Sequence, residues 1–473
     1  MAPRSFALLA IVVVGACIRI TYSVTTGHSS RLTSAEGQVA HNIVAHGRWF
    51  ERNARADEYL TSLSKREGGR LIDPASIDFS GLDRNGEWYP EVSLSVGASV
   101  VIAGLWALTG SERYIQIQIF QGIMDALMAL LVYWIAMQLF KRPRAAMIAA
   151  ALYALYPPLA WETIDPYNDI WAVDFTIVIV ALYLVMSKSG HRWRWLIVCG
   201  LCAGIGAYFR PQVLLIAPAL ALATVGVTGR REALRRAATT TVVASLLLVP
   251  WTIRNYEDFH AFIPTRSAFW ETVYAGFSEL PSKYTPTSGE PDSIPANFVP
   301  HLGYETPAWE AHDKRLVIAL IEQHPLFYLE VLAHRLALAT VWLHDTAWMG
   351  RVAKTAFGYK GGLLAFVVDR PLGALEYVLP PLVFLLGMLS LWFTWRRWRR
   401  QNLILLTTVL CVFLPYLAIH VDGRYLFPAI FAYFIWIGIG ADYLLEWVAR
   451  RRRSLAVAIH PPVRVGIPPE TLG

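Results

Sequence analysis

Long runs of apolar residues alternate with short polar connections along most of this chain. Several runs approach the ~20 apolar residues that a helix needs to cross a bilayer. The runs predict transmembrane helices at about Phe6–Val24, Ile115–Leu139, Ala145–Ala160, Ile170–Met186, Trp195–Tyr208, Val213–Val227, Ala237–Ile253, Leu372–Trp395, Leu403–His420 and Tyr425–Val448. The pattern therefore predicts an all-α polytopic membrane protein with about ten, possibly twelve, transmembrane helices.

The short connections between the runs are basic, and this orients the chain. Lys and Arg cluster at residues 141–144, 188–194, 229–236, 396–400 and 450–453. Cytoplasmic loops are enriched in these residues, so all five clusters are expected in the cytoplasm. With ten spans, both termini are then cytoplasmic, and the long polar segments lie outside a plasma (inner) membrane.

Three segments allow more than one interpretation. Phe6–Ile18 has the length of a signal-peptide core, but no clear small-x-small cleavage site follows it, which favours an uncleaved helix. If Val92–Leu108 spanned the membrane, it would turn basic clusters outward, so it is interpreted as a juxtamembrane or re-entrant piece. Phe327–Leu343 carries charged residues, which favours an interfacial helix, although pairing with Gly361–Val368 would add two spans.

Composition excludes most other protein classes. Of 473 residues, 55% are hydrophobic and only 16% are charged, whereas soluble chains carry charge on about a quarter of their residues. An outer-membrane barrel would show short alternating strands instead of long apolar runs. The net charge of +7 lies in the connections, so it indicates membrane topology and contact with membrane lipids, not nucleic-acid binding.

Cysteine and histidine spacing gives no firm sign of a metal or another cofactor. Cys199 and Cys202 form a C-x-x-C pair inside an apolar run, which is more typical of two small packing residues. A divalent metal is possible but not indicated by the sequence.

The same patterns divide the chain into four parts. A transmembrane catalytic module is expected over residues 1–253, with its first outer loop at 25–112. An extracytoplasmic loop with an interfacial helix follows at 254–371, then transmembrane helices at 372–448 and a cytoplasmic tail at 449–473.

On this topology, acids and arginines collect on the outer face. The acids are Glu36, Glu162, Asp165 and Asp169, and the basic positions are Arg210, Arg254 and Arg424, next to Asn255 and Tyr425. A carboxylate can act as a general base, and an arginine can bind a phosphate through two parallel hydrogen bonds. Each also has a plainer interpretation, because acids in outer loops are usually only solvated and arginines at helix ends usually reach for the interface.

Six motifs follow one another along the chain: Glu36-Gly37-Gln38-Val39-Ala40, Tyr156-Pro157-Pro158 leading to Asp169, Phe209-Arg210-Pro211, Pro250-Trp251-Thr252-Ile253-Arg254-Asn255-Tyr256, His324-Pro325-Leu326-Phe327-Tyr328 and Gly423-Arg424-Tyr425-Leu426-Phe427-Pro428. In this order they resemble the motifs of the GT-C membrane glycosyltransferases, in particular protein-O-mannosyltransferase-like and aminoarabinose-transferase-like members.

The resemblance implies transfer of a sugar from a polyprenyl-phosphate carrier to an acceptor hydroxyl outside the cytoplasm. The acceptor is a protein, a lipid or a glycan. Glu36 is then the expected base, and Asp169, with Asp165 as its rival, orients acceptor or sugar. The carrier phosphate is expected to contact Arg254 and Arg424, with Arg210 as a third arginine and with Asn255 and Tyr425 beside them.

Two other functions compete with this one. A transporter or flippase of lipid-linked saccharide would carry charges deep inside its spans and repeats between its halves, and neither is apparent in the sequence. A non-catalytic envelope scaffold would explain the large loops but not the acid and arginine motifs.

Overall fold

The structure, a computed structural model, describes residues 3–26, 35–67, 73–79, 81–82, 87–188, 192–280, 282, 284, 306–341 and 371–459. Within these ranges the protein is almost entirely helical. The longer helices span Pro3–Thr26, Ala35–His46, Ala54–Glu67, Val96–Thr109, Tyr114–Phe140, Pro143–Leu155, Asp169–Lys188, Arg192–Ala207, Ile216–Ala223, Arg230–Phe259, Pro307–Gln323, Pro325–Val341, Pro371–Thr394, Arg399–Ile419 and Ile430–Ile459. Short helices at Pro157–Glu162, Val225–Thr228, Phe269–Ala275 and Gly423–Leu426 connect them, and Glu51–Asn53 pairs antiparallel with Trp88–Pro90.

The helices correspond to the predicted spans, and the all-α membrane fold is confirmed. Six described helices are long and apolar enough to cross a bilayer, and four shorter apolar helices occupy the positions of the remaining predicted spans. Large apolar side chains such as Val242, Leu246 and Leu385 lie exposed on these helices, as expected for surfaces that contact lipid.

Small residues let two of the helices approach closely. Helix Pro143–Leu155 packs its face of Ala145 and Ala149, which are fully buried, against Ile430–Ile459. A Cβ on Gly438 would come within 2.4 Å of the Ala145 carbonyl oxygen, so only glycine fits there. Close backbone approach through small residues is a common way for membrane helices to associate.

Several predicted spans have different ends in the structure, two of them at the Tyr-Pro-Pro and Pro-Trp-Thr-Ile-Arg-Asn-Tyr motifs. The span expected to reach Ala160 stops at Leu155, because Tyr156 is extended (ψ 112°) as residues before proline usually are, and a new short helix begins at Pro157. The span expected to end at Ile253 continues to Phe259 with Pro250 inside it. The Pro-Trp-Thr-Ile-Arg-Asn-Tyr motif is therefore part of a helix, not the start of a loop.

The first outer loop folds back onto the helices. Its helix Ala35–His46 packs against Val96–Thr109, and a Cβ on Gly37 would overlap the Tyr114 side chain. The Gly97 amide donates to the Tyr208 carbonyl, which holds the start of Val96–Thr109 beside the end of helix Arg192–Ala207. That Val96–Thr109 is a juxtamembrane or re-entrant piece stays a prediction.

The expectation that the spans carry no buried charge is wrong. Arg19 and Asp125 are fully buried in helices Pro3–Thr26 and Tyr114–Phe140, with Arg19 Nε 2.6 Å from Asp125 Oδ2. The Tyr153 hydroxyl donates to the other carboxylate oxygen, and Arg19 also donates to the Ala154 carbonyl. The cluster thus ties three helices together through paired groups, which is a structural role.

The segment around Phe327–Leu343 forms the helix Pro325–Val341, bent by 105° from Pro307–Gln323. Its Arg335 does not face lipid: the side chain is fully buried, and its Nε lies 2.7 Å from Glu279 Oε2. Glu279 also contacts His420, so three separate segments of the chain meet at this ion pair. Gly361–Val368 lies outside the described residues.

Candidate active site

A buried group of two carboxylates, Asp169 and Asp422, and two guanidinium groups lies where three helix ends meet. Asp169 forms an ion pair with Arg210, and its other oxygen is 4.0 Å from Arg424 Nε. The side chains of Asp169 and Arg210 are only 4% and 5% exposed. The structure therefore brings together Asp169, Arg210 and Arg424, which are far apart in the sequence.

Local backbone geometry places each member of this group. Asp169 is the first residue of its helix, where the helix dipole favours negative charge. Arg210 is extended (φ −143°, ψ 120°) because Pro211 follows it, and this points the chain across the helix ends. The Asp422 side chain caps the turn that carries Arg424, accepting from the Arg424 amide, and also forms an ion pair with Arg424 Nε at 3.0 Å.

Tyrosine rings enclose the two arginines. Tyr425 lies 4.4 Å from the Arg210 guanidinium carbon and 5.1 Å from that of Arg424, and Tyr167 lies 5.7 Å and 5.6 Å from the same two carbons. Tyr416 stacks on Tyr425 at 4.8 Å. The ring faces attract the cations and exclude water, so the arginines keep fixed planes in a dry site.

The site keeps unused hydrogen-bonding capacity. Among the described residues, Asp169 Oδ2 and Arg210 Nε are buried without a hydrogen-bond partner, whereas Arg424 Nε pairs with Asp422. Burial lowers the pKa of the Arg210 guanidinium, but Asp169 and the neighbouring tyrosines outweigh this effect, so its pKa is raised and it remains charged. Buried polar atoms without partners are costly, and a bound anion or hydroxyl would satisfy them.

A cavity of about 310 Å³ opens beside this group. Arg210, Gln212, Arg266 and Tyr425 give it a polar end, and Leu215, Pro415 and Ile419 give it an apolar wall. A pocket with a cationic end and an apolar wall matches a ligand that joins an anionic head to a hydrocarbon tail.

Glu36 is connected to the same region through a hydrogen bond with Asn168. Glu36 is fully buried, and its Oε1 accepts a hydrogen bond of 3.3 Å from the Asn168 side chain, next to Asp169. The Asn168 side-chain oxygen Oδ1 accepts from the Ala98 amide. Asn168 therefore joins the first outer loop, the short loop that precedes helix Asp169–Lys188 and the Val96–Thr109 helix beside the ion pair.

Asp165 is half-buried four residues earlier in the same loop. Its backbone carbonyl accepts from Gln121 and from the Tyr167 amide, which holds the loop in place. Asp169, at the end of this loop, is the acid that pairs with Arg210.

Arg254 and Asn255 occupy a different place. Arg254 Nη1 donates to the Glu91 carbonyl and Nη2 to the Phe50 carbonyl, each at 2.8 Å, while Nε pairs with Asp258. Asn255 is fully buried and donates to the Ile263 carbonyl. The structure does not bring either residue into contact with Asp169 or Arg210, and a role in phosphate binding stays a prediction.

Arg254 instead holds the base of the first outer loop. The loop carries its own buried ion pair there, with Arg52 Nη1 3.0 Å from Glu91 Oε2. Burial raises the pKa of Glu91, but Arg52 and hydrogen bonds from Ser93 outweigh burial and lower it overall. Glu91 thus remains a carboxylate. Its ion pair with Arg52 fixes the end of strand Trp88–Pro90, where the Glu91 carbonyl accepts from Arg254.

Sequence reasoning missed four residues of the site: Tyr167, Asn168, Tyr416 and Arg266. Tyr167 and Asn168 directly precede Asp169, so their position next to a predicted site residue could have identified them. Tyr416 lies in an apolar run, where nothing in the sequence distinguishes it from residues that only pack. No three His, Cys, Asp or Glu side chains within the described ranges form a group that could hold a metal ion.

Residues 95–253 match the model of a protein family described as dolichyl-phosphate-mannose-protein mannosyltransferase. The predicted resemblance is confirmed. The matching segment contains Asp165, Asp169 and Arg210, whereas Glu36, Arg254 and Arg424 lie outside it.

Curated relatives point to the same group of proteins. The undecaprenyl phosphate-alpha-4-amino-4-deoxy-L-arabinose arabinosyl transferase of Pectobacterium atrosepticum is 29% identical over 166 residues, which are 33% of this chain and 28% of that protein. The protein of the same name from Erwinia tasmaniensis is 26% identical over 250 residues, which are 48% of this chain and 43% of that protein. The chain thus spans less than half the length of these curated relatives.

Among solved structures, the archaeal oligosaccharyltransferase AglB from Archaeoglobus fulgidus, in complex with an inhibitory peptide and a dolichol-phosphate, has a TM-score of 0.50. The superposition covers 97% of this chain and 53% of that chain at 14% identity. At this identity the likeness shows the fold, which is the multi-helix membrane fold of the GT-C glycosyltransferases.

Proposed function

We propose that this protein is a membrane glycosyltransferase that moves a sugar from a polyprenyl-phosphate carrier to an acceptor hydroxyl on the extracytoplasmic face. The observation that carries the proposal is the buried group of Asp169, Arg210 and Arg424 beside a cavity with an apolar wall. The names of the relatives suggest an undecaprenyl-phosphate-linked sugar as the first donor to test.

In this proposal the carrier phosphate binds at the polar end of the cavity. Arg210 donates to its oxygens from its unpartnered Nε, and Arg266 and Arg424 add two further positive charges. The prenyl chain leaves along Leu215, Pro415 and Ile419 towards lipid. Arg254 is the remaining predicted phosphate ligand, and to bind one it would have to release the carbonyls of Phe50 or Glu91.

The chemical step needs a base on the side of the sugar opposite the phosphate. The acceptor oxygen bonds to the anomeric carbon while the bond from that carbon to the phosphate oxygen breaks, and the phosphate leaves with the electron pair. Glu36 takes the acceptor proton, which requires it to lie within ~3 Å of the hydroxyl or one water away. The arginines stabilise the charge that grows on the phosphate, and Asp169 orients the sugar or the acceptor.

The site draws on two of the predicted parts of the chain. Glu36, Asp169 and Arg210 come from residues 1–253, and Arg424 and Tyr425 from residues 372–448. The extracytoplasmic placement of this end rests on the basic connections, all of which lie at the opposite helix ends.

The test is sugar transfer by the purified protein in detergent. A panel of undecaprenyl-phosphate sugars is offered with acceptor protein, lipid A or surface glycan, and release of undecaprenyl phosphate is measured. We expect release with at least one donor and its loss in Asp169→Asn. If no donor reacts while the protein moves lipid-linked saccharide across proteoliposome membranes, the flippase alternative replaces this proposal.

A further inference from the structure

A second cavity, of about 660 Å³, opens at the far end of the same helices. Asp169 begins its helix, whereas Tyr183 and Ser187, near the end of that helix, line this cavity. At 1.5 Å rise per residue, Asp169 and Ser187 are roughly 27 Å apart, so the two cavities lie on opposite sides of the membrane region. Residues 223–228 and the first turns of Arg230–Phe259 and Arg399–Ile419 complete its wall.

The cavity is cationic. Arg236, Arg399 and Arg400 line it, with Glu232 as the only carboxylate among its lining residues. Glu232 already pairs with Arg236 and with Arg235, each at 2.8 Å. Within the part of the chain that the structure describes, Arg399 and Arg400 have no carboxylate partner, so the cavity holds excess positive charge.

The burial of Arg236 distinguishes this cavity from an exposed charged surface. Its side chain is 3% exposed, although it borders the cavity, and its Nε is held by Glu232. Tyr183 and Thr224 hydrogen-bond to each other at 2.6 Å on the same wall. Two helices begin here, and their dipoles add positive potential at the cavity.

The cavity also opens towards lipid. Leu184 and Ile404 form part of its wall, and Val227 and Leu403, which also line it, are 63% and 37% exposed. A soluble anion would use the arginines but leave this apolar edge bare. A membrane lipid would use both, with its phosphate among the arginines and its acyl chains over Val227 and Leu403.

We infer that this cavity binds the phosphate head group of an anionic glycerophospholipid in the leaflet opposite the candidate active site. Basic pockets between membrane helices commonly hold such head groups. The exposed Arg399 and Arg400 attract the phosphate head group, and the ion pair of Arg236 with Glu232 forms a rigid part of the cavity wall. This site is separate from the proposed transferase site and does not depend on its chemistry.

The test compares lipid retention by the full-length protein in detergent. Radiolabelled phosphatidylglycerol or phosphatidylcholine is added, and the label bound per chain is counted after gel filtration. The variant is Arg399→Ala/Arg400→Ala. The matched control is Arg144→Ala/Arg450→Ala, which removes the same charge from exposed positions outside the cavity.

We expect wild type and the control to retain about one phosphatidylglycerol per chain in preference to phosphatidylcholine. Two arginines at a membrane surface are together worth roughly 30-fold in affinity, so the variant should bind that much more weakly. Equal retention by variant and control, or equal retention of both lipids, would overturn the inference. Displacement of the lipid by millimolar inorganic phosphate would instead identify a site for soluble anions and would also overturn it.

Discussion

Arg210→Lys separates a phosphate-binding role for Arg210 from a purely structural one. Lysine keeps the positive charge beside Asp169, so the ion pair can persist. It lacks the planar fork that binds two phosphate oxygens, and it cannot stack on Tyr425, which lies 4.4 Å from the Arg210 guanidinium carbon.

The size of the effect follows from burial. The Arg210 side chain is 5% exposed, so its stacking lies in the desolvated range, about 2 kcal/mol. This stacking is made with or without donor, so its loss lowers the stability of the fold. Donor binding loses one charge-assisted hydrogen bond to phosphate, worth about 1.5–3 kcal/mol. This predicts donor binding weaker by roughly 10- to 150-fold, with a smaller change in turnover at saturating donor.

The chain offers a matched control in Arg335. Arg335 is fully buried, pairs with Glu279 and lies 6.0 Å from the Phe277 ring. It belongs to the separate cluster of Arg335, Glu279 and His420, not to the candidate site. Arg335→Lys should therefore cost similar stability without weakening donor binding. Both variants are measured for undecaprenyl-phosphate affinity and for thermal unfolding in detergent. Wild-type affinity in Arg210→Lys, or equal loss of affinity in Arg335→Lys, would refute the phosphate role.

Three further predictions follow from the same geometry. Glu36→Gln keeps the size and the contact with Asn168 but removes the base, so turnover should fall by roughly 100-fold or more with donor affinity unchanged, and a wild-type rate would move the base to Asp169. A cysteine at Arg231 should react with thiol reagents only after the membrane is permeabilised, and labelling of intact cells from outside would invert the topology. Burial lowers the pKa of His420, but Glu279 outweighs this and raises it above 6.5, so His420 adds stability that is complete below pH 6.5 and is lost as pH rises through the raised pKa. The melting temperature should therefore decline above pH 6.5 in the wild type but not in His420→Gln, and parallel pH profiles would show that another group is responsible.

The sequence by itself determined the class of fold and the ends of most helices. A bilayer has a fixed thickness, so the lengths of the apolar runs report the spans directly, and basic connections report their direction. Charged residues at helix ends also stand out against apolar runs, which is why Asp169, Arg210 and Arg424 could be selected before their contact was known.

Only the tertiary structure decided which of these charges meet. Arg254 lies in one of the motifs that carry the family resemblance, yet its guanidinium donates to the carbonyls of Phe50 and Glu91. The sequence could not show this, because it carries no signal for which backbone carbonyls a side chain will meet. The pairing of Arg19 with Asp125, and the bridge from Glu36 through Asn168 to Asp169, likewise depend on how separate helices pack. Hydropathy along a chain reports burial in lipid, but the partner of a buried charge is chosen by the three-dimensional approach of segments more than a hundred residues apart.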